Sequence, residues 1–219
     1  MVYLLLESIG VCYNNDTLHM NPIFLITFGS GSEQYARASP SDFNFTTSYG
    51  QQNEPSTGDG QFSFINEIHN DYGTWYTGSL DHTPDDVGGY MMLVNAAYQP
   101  GEFYRGTVNS LCIGLRYEFS FYLANIHIPN SEIQPNILIE ARSLTLDNRL
   151  LVQVSTGDIP SNDRLIWLKY GLSFIAPSHS VVLLMISNAS GGYGNDFVID
   201  DIALRVCSNP GSGVCPPTS

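Results

Sequence analysis

The chain has 219 residues, 43% of them hydrophobic and only 13% charged, and its 21 acidic side chains outnumber eight basic ones to give a net charge of −13. That is enough apolar material for one large β domain or two small ones, and it argues against disorder. A surface this acidic is repelled by phosphate backbones and anionic membranes and attracts divalent cations, so nucleic acid is excluded as a partner.

Taken in chain order, residues 1–20 read as a leader or irregular N-terminal segment. Met1 to Leu6 are apolar, but no basic flank precedes them and Glu7 interrupts the run, a poor match to a secretion signal. A truncated or mis-started leader fits best. No segment reaches the length needed to span a bilayer as a helix, so no membrane insertion is expected.

Residues 21–208 read as one domain. Helical periodicity is nearly absent, while strand-length runs bounded by Gly, Pro, Asn and Asp recur at 23–28, 43–49, 61–66, 90–96, 102–108, 115–125, 136–144, 150–156, 166–175, 181–188 and 197–206. The fold class expected from this is all-β, an antiparallel two-sheet sandwich. Alternation is clearest in Tyr117-Glu118-Phe119-Ser120-Phe121-Tyr122-Leu123, which puts Tyr117, Phe119, Phe121 and Leu123 on one face. The run from Val181 to Ile186 is apolar on both faces and reads as a central, doubly covered strand. Residues 209–219, dense in Pro, Gly and Ser, read as a linker to a missing downstream domain, to which Cys215 belongs.

Four cysteines, Cys12, Cys112, Cys207 and Cys215, show no zinc-ribbon or redox spacing. Cys112 opens one predicted strand and Cys207 ends the last, so a bridge between them is plausible in an oxidising compartment, two buried thiols being the alternative.

Two acidic clusters carry the chemistry. Asp81, Asp85 and Asp86 sit in a Gly-rich turn directly before an apolar strand; Asp196, Asp200 and Asp201 lie far downstream. Clustered carboxylates with backbone carbonyls are what calcium takes as ligands. In Val198-Ile199-Asp200-Asp201-Ile202, strand alternation sends the two aspartates to opposite faces, and an inward one is costly unless paired or metal-bound. The alternative is that these carboxylates cap loop N–H groups. His82, beside the acidic turn, reads as an orienting hydrogen-bond partner and not as a catalyst.

No Gly-x-Ser-x-Gly elbow, phosphate-binding glycine pattern or alternating acidic strand motif is present, which weighs against an enzyme. Aromatics are the remaining lead. Trp75 and Tyr76 precede the acidic turn and Tyr104 follows the next strand, a placement that offers stacking faces for sugar rings, with core packing as the bland alternative. Asn15, Asn44 and Asn188 stand in short N-glycosylation patterns of the kind chance produces often.

Asp81-His82-Thr83 with Gly89-Tyr90-Met91, Cys112 opening a Tyr/Phe-rich strand, and Ile199-Asp200-Asp201-Ile202 leading to Cys207 resemble the hallmarks of MAM-type adhesion domains. Over residues 22–207 the chain also resembles jelly-roll modules, similar to carbohydrate-binding modules, in secreted Bacteroidota surface proteins with PKD-like repeats and gliding-motility-type sorting domains. The matching pieces include Ile26-Thr27-Phe28-Gly29-Ser30-Gly31, Thr156-Gly157-Asp158-Ile159-Pro160, and Gly191-Gly192 with Gly194-Asn195-Asp196. The resemblance implies a galactose-binding-like jelly roll, a secreted or cell-surface location, and a non-catalytic role binding polysaccharide or glycoconjugate, or another surface protein in adhesion. It also implies a structural Ca2+ joining the N-terminal region to the last strand. That favours Asp81 and Asp201 as ligands, with Asp86, Asp196 and Glu33 as weaker candidates. A purely structural spacer and, further off, a polysaccharide hydrolase are the competing readings.

Overall fold

The computed structural model describes residues 22–69, 73–129, 132–145 and 147–207. The expected leader and linker, with Cys12, Cys215 and Asn15, lie outside them.

Thirteen strands are described: β1 (Phe24–Ile26), β2 (Tyr35–Ala36), β3 (Phe45–Thr46), β4 (Gly50–Gln51), β5 (Gln61–Ile65), β6 (Met91–Asn95), β7 (Gly101–Val108), β8 (Arg116–Asn125), β9 (Asn136–Ser143), β10 (Leu150–Asp158), β11 (Leu168–Ile175), β12 (Val181–Ser187) and β13 (Phe197–Val206). They form two sheets. The larger runs β11-β8-β13-β6-β5-β2, with β1 also beside β13 and β4 beside β5; the smaller runs β10-β9-β12-β7-β3. Every pairing is antiparallel except β4 with β5.

The order of β6 to β13 defines the fold. Numbered first to eighth, they lie sixth-third-eighth-first in one sheet and fifth-fourth-seventh-second in the other. Successive strands alternate between sheets except the fourth and fifth, β9 and β10, which pair as neighbours in the smaller sheet. This is the strand order of a jelly roll, so the expected sandwich is what the chain forms.

Apolar side chains explain the layers. Phe62, Phe64, Met92, Val94, Phe119, Phe121 and Ile199 from the larger sheet meet Phe103, Ile137, Ile139, Leu183 and Met185 from the smaller one in the main core. The intervening residues of β5, β6 and β13, namely Ile65, Met91, Leu93 and Val198, point the other way and are buried too. With Ile68, Trp75, Ala124 and Ile126 they make a second apolar cluster on the outer face of the larger sheet. Both clusters together explain why Met91-Met92-Leu93-Val94 is fully buried: the strand has no solvent face. β12, between β9 and β7, is the expected central strand.

Two expected strands are cut short. Phe28 and Gly29 adopt left-handed φ values of 58° and 75°, which ends the strand expected over 23–28. The span 43–49 yields only β3, because Pro40–Phe43 winds one turn of 3-10 helix and Asn44 closes it at φ 58°.

Candidate functional site

Two buried aspartates, Asp196 just before β13 and Asp200 within it, organise two different sites. Asp200 builds the first. β13 pairs with β6 over Phe197–Ile199 and with β1 from Ile202 on, and its register against β8 slips between Asp200 and Ala203. Ile199 and Ile202 therefore both face the core, and the two aspartates between them, expected on opposite faces, share the outer one. Asp201 takes a left-handed φ of 51° in this bulge. The acidic turn folds into the gap. Asp200, with no exposed surface, accepts the N–H groups of His82 (3.0 Å), Thr83 (3.1 Å) and Asp201 (2.8 Å). Asp201 takes the Thr83 hydroxyl at 2.9 Å and faces His82 Nδ1 at 2.6 Å. His82 in turn stacks on Tyr122 of β8, ring centroids 3.6 Å apart, which seats the turn on the sheet.

Glycine permits this arrangement. A methyl group on Gly89 would overlap the carboxylates of both Asp81 and Asp86. Gly88 stands at a left-handed φ of 74°, with its Cα against the Gly31 carbonyl, and the Gly31 N–H donates to the Gly88 carbonyl at 2.9 Å. Asp81, Asp86, Asp200 and Asp201 therefore crowd one clasp, and burial together with this crowding raises the carboxyls of Asp81 and Asp200. Burial, then Asp86 beside it and to a smaller degree Asp201, pushes the Asp81 carboxyl up to about 6. Burial, then the Asp201 charge, pushes Asp200 up to about 8 against the N–H groups that favour its anion. Asp86 Oδ1 is buried without a hydrogen-bond donor. Among the described residues no three His, Cys, Asp or Glu side chains stand ready-placed around a common ion position.

Of the residues expected to hold calcium, Asp81, Asp86 and Asp201 are brought together here, whereas Asp196 and Glu33 are not. Asp196 makes its bonds in the second site, and Glu33 is exposed, its backbone carbonyl accepting the Tyr90 hydroxyl. Asp200, not Asp201, is the fully buried aspartate, and it caps loop N–H groups.

The aromatic expectations need correction. Trp75 is 3% exposed and Tyr104 2%, so neither offers an open ring face, though Trp75 helps line the pocket of the second site. Trp75 anchors the loop that covers the outer cluster, and Tyr104 stacks on Phe45 and Phe119 in the core, where burial pushes its phenol well up. Tyr76 is half-buried, its hydroxyl without a partner. Cys112 and Cys207 lie near one end of β8: the Cys207 N–H donates to the Arg116 carbonyl, the Cys112 N–H to the Tyr117 hydroxyl, and neither cysteine is a free thiol.

The second site lies at the loop end of the larger sheet, where Trp75 and His127 form an antiparallel bridge. Asp196 is 7% exposed and accepts from three directions: His127 Nε2 at 2.8 Å, the Trp75 indole N–H at 3.2 Å and the Ala96 N–H at 3.0 Å. Burial raises its carboxyl and those three donors pull it back. His127 is 3% exposed and its other ring nitrogen, Nδ1, has no partner.

These groups line a pocket of about 290 Å³ together with Asp59, Thr74, Asn95, Tyr193 and two glycines. Tyr193 is half exposed, its ring edge-on to His127 at 6.0 Å. Its loop is set by glycine: a side chain on Gly191 would strike the Tyr98 backbone and one on Gly194 the Ile133 carbonyl. The Glu132 and Ile133 N–H groups close on the Tyr193 carbonyl at 3.2 Å each. Sequence reasoning passed over Tyr193; an aromatic between glycines was the available signal.

The buried glutamates, Glu118 and Glu140, are each held by a cation, Lys169 at 2.8 Å and Arg142 at 2.6 Å. Neither stands as half of an open acid–base pair of the kind glycoside hydrolysis uses.

No family model and no curated protein sequence matches the chain. Among solved structures it is similar to the enzymatically active domain of bacteriophage CBA120 tailspike protein 4 (13% identity, TM-score 0.45, 81% of this chain) and spans 21% of that chain's length. It is similar to the CBM22-1 xylan-binding domain of Paenibacillus barcinonensis Xyn10C at 10% identity and TM-score 0.45, covering 86% of this chain and 96% of that one. It is also similar to the C-terminal domain of EclA, a sugar-binding protein, at 20% identity and TM-score 0.40, covering 62% and 93%. At these identities and scores the likeness says nothing of ligand or activity.

Proposed function

We propose that the chain is a non-catalytic module of a secreted or cell-surface protein that binds polysaccharide or glycoconjugate, with a structural calcium ion in the clasp. The carrying observation is the loop-end pocket. It sets a half-exposed tyrosine on a tightly packed glycine loop above convergent polar groups, which is how sites for small polar ligands are built. A spacer domain has no use for such a pocket. Surface adhesion follows where the glycan belongs to another cell. The test is a glycan array with wild type and Tyr193→Ala; retention of wild type alone on some polymer is the expected outcome, and an array blank for both removes the glycan reading.

The clasp residues fit calcium by their donor chemistry. Asp81, Asp86 and Asp201 would hold the ion with Asp200 behind them, and Asp86 Oδ1 is the buried oxygen that lacks a donor. The bound ion would supply the positive charge that lets these neighbours ionise together. We further propose that Cys112 and Cys207 pair with each other, since both lie beside Arg116 and Tyr117. Peptide mapping without reduction should return one fragment holding both; separate fragments would refute the pairing.

A further inference from the structure

We infer that the loop-end pocket receives the terminal, non-acidic sugar of a glycan and does not run along the middle of a polymer. This rests on the glycan reading above and names its ligand class.

Size and the flanking backbone give the first half. At about 290 Å³ the pocket lies at the floor of the roughly 300–1,000 Å³ range of ordinary ligand sites, room for little more than one ring. Backbone bridges flank it on two sides, Trp75 with His127 and Ile133 with Gly194. Neither can open cheaply. Tyr76 and Ile128 donate N–H groups across the first at 2.9 Å, and Gly194 is packed so tightly against the Ile133 carbonyl that a Cβ would collide with it. A polymer running across would have to pass these bridged walls, whereas a chain end need not.

Charge gives the second half. Among the described residues the pocket is lined by two carboxylates, Asp59 and Asp196, and by no Lys or Arg, on a chain of net charge −13. A uronate or other acidic sugar would bring its anion against them with no cation to receive it, a repulsion that a low-dielectric recess amplifies. Hydroxyl or amino groups suit the same wall. Asp196 already accepts three donors, and His127, almost wholly buried there, keeps one ring nitrogen unpaired. An unsatisfied buried polar atom in a pocket wall is what an entering polar ligand would satisfy.

The experiment is titration calorimetry on the full chain with gluco-, manno-, galacto- and xylo-oligosaccharides from monomer to pentamer, chitosan oligomers and oligogalacturonates of the same lengths. At least one neutral or amino series should bind, with affinity level from the dimer onward, and no oligogalacturonate should. Tyr193→Ala, at an exposed position, should weaken that binding about tenfold, equivalent to about 1.4 kcal/mol. Affinity still climbing tenfold between dimer and pentamer would overturn the chain-end inference and leave glycan binding intact. So would preference for oligogalacturonate, or binding indifferent to Tyr193→Ala. If no series binds, the glycan reading falls with it.

Discussion

Asp196 and Asp200 stand on the same outer face of the larger sheet with Val198 between them, yet they live under opposite electrostatics. Asp196 is surrounded by donors from three separate segments, an imidazole, an indole and a backbone amide. Asp200 also has its N–H donors, but Asp201 and Asp81 add negative charge from the side. Burial raises both carboxyls. The neighbours decide what each lacks. The first is a satisfied anchor for a pocket wall; the second is a carboxylate short of a positive charge, where a proton or a cation is the remedy.

Removing the anchor should have the largest effect. Asp196→Ala takes one acceptor from the Trp75 indole and leaves the Ala96 N–H and a second nitrogen of His127 unpaired in the interior. Breaking a buried pair by deleting one partner costs about 3–5 kcal/mol, and urea unfolding should show a loss of that order. A loss under about 1 kcal/mol would mean that water replaces the carboxylate and that the anchor is dispensable.

The clasp should respond to calcium instead. If the ion binds only the folded protein, saturation at a hundred times the dissociation constant stabilises by about 2.7 kcal/mol. A melt in calcium against one in chelator should reveal the shift, and Asp86→Asn should shrink it. Equal melting temperatures in both buffers would refute a structural ion.

Proton and cation should compete for the same crowded oxygens, giving a smaller effect of fixed sign. In chelator, Asp81 near 6 and Asp200 near 8 hold protons more tightly folded than unfolded, where carboxyls titrate near 4. Their contribution to stability is therefore full below about pH 4 and is lost as pH rises through 6 and then 8. Calcium should flatten the upper part of that slope. A chelated protein that gains stability from pH 5 to pH 8 would show that the clasp is not crowded as described.

The sandwich was legible because its pattern is local. Tyr117, Phe119, Phe121 and Leu123 alternate into the core as strand geometry demands, and the doubly apolar β12 is central. Parity required that Asp200 and Asp201 diverge, and here it failed: a bulge that composition does not mark turns both to the outer face, where each meets Thr83. Tyr104 failed for a related reason: a register slip between β7 and β12 lets consecutive Phe103 and Tyr104 both reach the core. Trp75 was illegible because its burial depends on a loop lying across the sheet's outer face, a long-range contact without local signature. The clasp was half visible, since the acidic turn and the acidic strand could be named but their meeting could not.

The smallest effect is the sharpest test of the contrast between the two aspartates. With its carboxyl pushed up to about 8, Asp200 in calcium-free protein at pH 6 is mostly protonated, and asparagine has nearly the shape of a protonated aspartate. Asp200→Asn sets its amide nitrogen against an N–H donor, Asp201 at one oxygen or His82 and Thr83 at the other, but it removes the repulsion with Asp81 and Asp201. It should therefore cost less in chelator than Asp196→Asn, while weakening the response to calcium. Asp196→Asn has no such relief. One side-chain oxygen accepts from His127 and Trp75 and the other from Ala96, so an amide nitrogen in either place meets a donor and should cost about 1–3 kcal/mol. Parallel urea titrations of the two variants decide it: equal losses would mean that burial, not the neighbouring charges, governs both carboxylates.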